Sequence, residues 1–110
     1  MLDGGMETLT EKYIDAVNNA DLAGLIALFE PTATLSQKGR LYEGTDQIAD
    51  FYRELWLPGP SAHEVERQFV DGNAVIVQFK AVSPTGEIRH AVDVFIVKGN
   101  LFESLEIYYR

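Results

Sequence analysis

After Pro58-Gly59-Pro60 the hydrophobic period of this chain changes to two and stays there, and that change limits the folds open to it. Before the prolines, apolar residues recur every three or four positions, first as Leu9, Tyr13, Val17 and Ala20. Leu22, Leu25, Ile26 and Phe29 repeat the pattern, and Ile48, Phe51, Tyr52, Leu55 and Trp56 give its clearest instance. After the prolines the period is two. Val65, Arg67 and Phe69 alternate with Glu64, Glu66 and Gln68, and Val75, Val77, Phe79 and Ala81 form one face of the next strand. Helices followed by a run of strands give an α+β arrangement, with the helices covering one face of a sheet.

Turn residues set the boundaries. A first helix is predicted from about Glu7 to Asn19, with residues 1–6 a loose tail. Asp21 is placed to cap a second helix, which Pro31 ends because it lacks an N–H and disfavours a helical residue before it. Ala33 to Gln37 and Arg40 to Tyr42 read as short strands around Lys38-Gly39, and Gly44-Thr45 opens a third helix with Thr45 as its cap. Asp71-Gly72-Asn73, Ser83-Pro84-Thr85-Gly86 and Lys98-Gly99-Asn100 separate the later strands. Connections this short make successive strands antiparallel. All 110 residues fit one domain, without repeats or linkers.

The strand from Glu87 to Lys98 is apolar on both sides. Ala91, Asp93, Phe95 and Val97 point one way, and Val92, Val94 and Ile96 the other. Helices can cover only one of these faces, so a homodimer through the sheet is expected.

A formal net charge of −8 repels phosphate backbones and anionic lipid, so neither nucleic acid nor a membrane is an expected partner. No apolar run approaches the roughly 20 residues of a membrane span. Met1-Leu-Asp-Gly-Gly has no basic patch leading into an apolar stretch, so no signal peptide is expected. The absence of cysteine excludes disulfides, thiolate catalysis and Cys-ligated zinc, and is compatible with the cytoplasmic location we expect. Two separated histidines and no carboxylate cluster with ligand spacing predict no metal, and no glycine-rich phosphate loop points to a cofactor.

Three residues stand out chemically. Asp93 lies between Val92 and Val94 in a strand centre, and a buried Asp needs a partner or a proton. Arg89 or His90 would serve as partner. Its shared face with Phe95 instead aims it into the apolar interior. Tyr13 and Tyr52 each lie on the buried stripe of a helix, where a hydroxyl needs a hydrogen-bond partner. Both tyrosines pack with their hydroxyls at a rim, or they converge with Asp93 on a cavity. In the second case phenol and protonated carboxyl together can stabilise a developing enolate. His63 reads as a surface residue starting a strand, and His90, three residues from Asp93, points to the opposite face.

The stretch Tyr13-Ile-Asp-Ala-Val-Asn-Asn-Ala-Asp-Leu-Ala-Gly-Leu-Ile-Ala-Leu-Phe29, with Ala33-Thr-Leu35 and Gly44-Thr-Asp-Gln-Ile-Ala-Asp-Phe-Tyr52, resembles the ketosteroid isomerase branch of the nuclear transport factor 2-like superfamily, the SnoaL-like group. Ala91-Val-Asp-Val-Phe95 is similar to that family's strand with an Asp and a Phe two apart. The resemblance runs from about Glu7 to Tyr109. It implies a cone-shaped, cystatin-like fold, three helices on a curved and mostly antiparallel sheet, around a pocket for a small apolar ketone, steroid or polyketide-like molecule. It also implies that Tyr13 is the oxyanion-hole tyrosine, Asp93 the protonated acid beside it, and Tyr52 the support of Tyr13. Phe95 and Tyr109 would line the pocket, and Val17, Phe29, Phe51, Trp56 and Phe79 are expected there too.

One position departs from the family. Where the isomerase carries its basic Asp, this chain has Gln37, and an amide cannot take a proton at neutral pH. Glu106 is a substitute only if the even-numbered positions of the last strand face inward. Two readings follow: an isomerase of the steroid delta type lacking its usual base, or a non-catalytic binding or dimerisation module on the same fold.

Overall fold

The computed structural model describes residues 2–110, with side chains from residue 5 onward. Its elements are α1 (Leu2–Asn18), α2 (Leu22–Ile26), β1 (Phe29–Gln37), β2 (Arg40–Glu43), α3 (Gly44–Leu55), β3 (Ala62–Asp71), β4 (Ala74–Val82), β5 (Ile88–Lys98) and β6 (Leu101–Tyr109). The strands form one sheet in the order β2-β1-β6-β5-β4-β3. Every pairing is antiparallel except β1 with β6, where the amino-terminal half of the chain joins the last strand. The architecture is α+β, with the helices packed on one face of a mostly antiparallel sheet. None of the described helices is long and apolar enough to cross a membrane.

The first helix begins earlier than expected. Residues from Leu2 are helical rather than a loose tail, and Met6 packs against the core, which carries the helix past Glu7. α2 is shorter than expected. Asp21 caps it, its carboxylate accepting the Gly24 N–H at 3.0 Å, but it ends at Ile26. Phe29 already belongs to β1 and pairs with Phe102. Pro31 then falls in the irregular stretch between Phe29 and Thr34, where the missing N–H removes nothing from the ladder.

Thr45 is not the cap of α3. Glu43 holds that position in extended geometry, and its N–H donates to Gln47 Oε1 at 2.9 Å. The hairpin β1–β2 turns at Lys38 and Gly39, both at positive φ (50° and 76°). This pair of left-handed residues matches the twist of the strands.

The alternation expected in β3 is broken. A bulge lies between Val65 and Arg67, so Val65 pairs with Phe79 and Phe69 with Ile76. One extra residue reverses the parity of everything before it. Val65 and His63 therefore share the concave face with Phe79, whereas Phe69 lies on the convex face and is 51% exposed.

The core sits between α1, α3 and the concave face. Tyr13 packs edge-on to Phe95 at 5.0 Å between ring centroids, and Phe95 stacks on Phe102 at 4.5 Å. On the convex face Ile76, Val92, Val94 and Ile96 form a half-buried apolar band, with Phe69 and Tyr108 exposed beside it.

Candidate functional site

A cavity of about 330 Å³ opens beside this core. Tyr13 and Val17 enter it from α1, Tyr52 from α3, and Trp56 from the end of α3. Its sheet wall includes His63 of β3, Phe79 of β4, Asp93 of β5, and Ile107 and Tyr109 of β6. Pro58, Gly59 and Pro84 stand at its edge, with Glu87 and Arg89.

Asp93 is the polar group at the centre of that wall. The β ladder fixes it between Val77 and Ile107, and it is 1% exposed. Its Oδ1 has no hydrogen-bond partner among the described residues. Neither candidate partner reaches it. Arg89 binds Glu87 at 3.0 Å, and His90, on the convex face, lies 3.7 Å from Glu66. Burial pushes the Asp93 carboxyl well above the usual carboxylate range. The physical reason is that an ionised carboxylate without hydrogen bonds in an apolar wall costs more than holding a proton. A protonated Asp93 carries one O–H to donate.

The two tyrosines meet in the same space. Their hydroxyl oxygens are 2.5 Å apart, so one donates to the other and one O–H remains for a third group. Burial raises the Tyr13 hydroxyl well above its ordinary range, helped by Tyr52 and by Asp93. Burial also raises Tyr52, against a lowering by its bond to Tyr13. Burial thus favours the neutral form of all three groups, and one tyrosine O–H and a protonated Asp93 are the donors left to face the cavity.

Several expected pocket residues lie elsewhere. Phe29, Phe51 and Phe95 do not line the cavity; they pack behind it. Phe95 is held between Tyr13 and Phe102, Phe29 lies 5.3 Å from Phe102, and Phe51 lies between Tyr42 and Tyr52. Gln37 is on the concave face but outside the lining. Its Oε1 accepts the Tyr109 hydroxyl at 3.4 Å, at the exposed end of β1. Glu106 pairs with Val94 on the convex face and accepts from Tyr108 at 3.1 Å, so it cannot reach the cavity.

His63, expected at the surface, is half-buried in the wall instead. Its ring stacks on Phe79 with centroids 4.8 Å apart. The bulge in β3 puts it there, and no pattern of residue types before the bulge announces one. Burial holds the imidazole below its usual range, against a smaller raising effect of the Ser61 carbonyl. Among the described residues no group of three His, Cys, Asp or Glu side chains is placed to hold a metal ion.

The family model for the SnoaL-like domain matches residues 10–102. Among solved structures, a candidate ketosteroid isomerase of Kribbella flavida superposes with a TM-score of 0.86 at 20% identity, over 97% of this chain and 78% of that one. A candidate polyketide cyclase of Sinorhizobium meliloti gives 0.82 at 22% identity, over 94% and 97%. An epoxide hydrolase of M. tuberculosis gives 0.81 at 17% identity, over 94% and 80%. At these identities the likeness is one of fold, and proteins of one fold differ in chemistry. No curated protein matches the sequence.

Proposed function

The chain belongs to the SnoaL-like domain family, and from that premise we propose that it binds a small apolar ketone or phenol, of steroid or polyketide-like shape, with the ligand oxygen held by Tyr13 and Asp93. The observation that carries this reading is the unpartnered, fully buried Asp93 carboxyl beside a tyrosine pair in one apolar cavity. Tyr52 supports Tyr13 by orienting its hydroxyl. A ketone so held is polarised toward its enolate, because two neutral donors in a dry site favour the charge that develops on oxygen. That is the electrostatic half of a ketosteroid isomerase-like reaction.

A purely binding role is the second reading, and Gln37 favours it. By the resemblance the amide stands where the isomerase has its base, and its Oε1 accepts from the Tyr109 hydroxyl. The convex apolar band adds a proposed homodimer through the sheet.

Titration with an equilenin-type phenol tests the site. Wild-type protein is expected to bind it with micromolar affinity or better. Asp93→Asn and Tyr13→Phe should each weaken binding about tenfold, the loss of roughly 1.4 kcal/mol from a hydrogen bond to a partly charged oxygen. Equal affinities for all three proteins would return Asp93 and Tyr13 to structural roles.

A further inference from the structure

We propose that His63 is the general base of this cavity, taking a proton from carbon next to, or conjugated with, a carbonyl whose oxygen Tyr13 and Asp93 hold. The inference rests on the oxyanion-site reading above and supplies what that reading lacks, a proton acceptor.

Four observations carry it. First, His63 lines the same cavity as Tyr13 and Asp93. Secondly, its tautomer is fixed. Nδ1 lies 3.1 Å from the Ser61 carbonyl oxygen, and a carbonyl only accepts, so Nδ1 carries the hydrogen. Nε2 is then left with a free lone pair. Thirdly, the residue is held at both ends. Its N–H donates to Asn18 Oδ1 at 2.7 Å, its carbonyl accepts from Asn18 Nδ2 at 3.3 Å, and its ring lies on Phe79. Fourthly, the two groups share the concave face. His63 registers through Ala81 with Arg89, four residues along β5 from Asp93, and its ring leans back toward Asp93 over Phe79, which registers with Ala91.

The step balances without a co-reactant. The Nε2 lone pair forms a bond to the proton and the C–H electron pair becomes the new C=C bond. The carbonyl π pair moves onto oxygen, where the Tyr13 and Asp93 O–H groups stabilise it. The imidazolium then returns the proton to a conjugated carbon, and the carbonyl re-forms. Burial keeps His63 neutral and ready to accept at pH 7. The other titratable groups on the cavity walls are Tyr13 from α1, Tyr52 from α3, Glu87, Arg89 and Asp93 from β5 and the turn before it, and Tyr109 from β6. Glu87 and Arg89 are paired with each other.

The test uses 5-androstene-3,17-dione as probe and follows conversion to the conjugated ketone by absorbance, with phenol titration run alongside. Wild-type protein is expected to isomerise it above the buffer rate, with an acid limb whose midpoint lies below the ordinary imidazole value. His63→Gln should cut the rate at least 100-fold, the usual contribution of a general base. A variant rate within threefold of wild type overturns the proposal. So does a wild type that binds the phenol but does not isomerise the ketone, which leaves the binding reading intact. Failure of the wild type to bind the phenol overturns that reading and this one with it. If His63→Gln does not fold, the wild-type profile decides, and a rate without an acid limb between pH 4 and 7 is the contradicting result.

Discussion

Asp93 is a carboxyl placed where burial disfavours its charge. In the unfolded chain it loses its proton near pH 4. In the fold it keeps that proton to a much higher pH, because burial penalises the anion. Its native value is raised, so its contribution to stability is full below pH 4 and falls as pH rises toward the native value. One proton gives a slope of about 1.4 kcal/mol per pH unit over that window. Asp93→Asn removes the term. The difference in unfolding free energy between variant and wild type should therefore grow in the variant's favour from pH 4 to 7, read by denaturant melts. A difference that stays flat would mean Asp93 is ionised in the fold. This residue was legible in the sequence, since a carboxylate between Val92 and Val94 contradicts its own strand. Tyr13 and Tyr52 were legible for the same reason, as polar tips on apolar stripes. His63 was not. Nothing in Ser61-Ala-His63 marks a wall of a cavity, because its direction depends on a bulge two residues further along.

That bulge belongs to the scale of elements. β3 carries strand alternation in sequence, yet the extra residue between Val65 and Arg67 turns its first half over. Helix and strand boundaries set by turn residues were readable. The start of β1 was not, because Pro31 ends a helix and also tolerates a strand irregularity, and pairing of Phe29 with Phe102 decides between them. The junction of α1 and β3 rests on Asn18, which offers one amide as acceptor and donor to the His63 backbone. Asn18→Ala removes both bonds at an exposed edge. We expect a loss of about 1–2 kcal/mol in stability by thermal melt, since each bond contributes about 1. Hydrogen exchange at the His63 amide should quicken in the variant. An unchanged melt and unchanged exchange would mean that the ladder with β4 holds the start of β3 alone.

At the scale of the molecule, the two faces of the sheet divide the work. Helices cover the concave face around Asp93 and leave it 1% exposed, which is the condition that favours its protonated form. The convex face carries Ile76, Val92, Val94 and Ile96 in adjacent strands, and a second copy of the chain is the cover we propose for it. Sedimentation equilibrium at micromolar concentration should give a dimer, and Val94→Glu should raise the dissociation constant at least tenfold by burying a second carboxylate beside Glu106, its cross-strand neighbour. A wild-type monomer would contradict this. The fold, readable from the change of period, thus sets up a cavity, and the chemistry we propose for it turns on one proton. The most direct measurement is the carbon-13 shift of the Asp93 carboxyl, assigned by comparison with Asp93→Asn and followed from pH 4 to 9. The shift of a protonated acid persisting through pH 7 is the predicted result; a carboxylate shift at pH 7 would contradict the account.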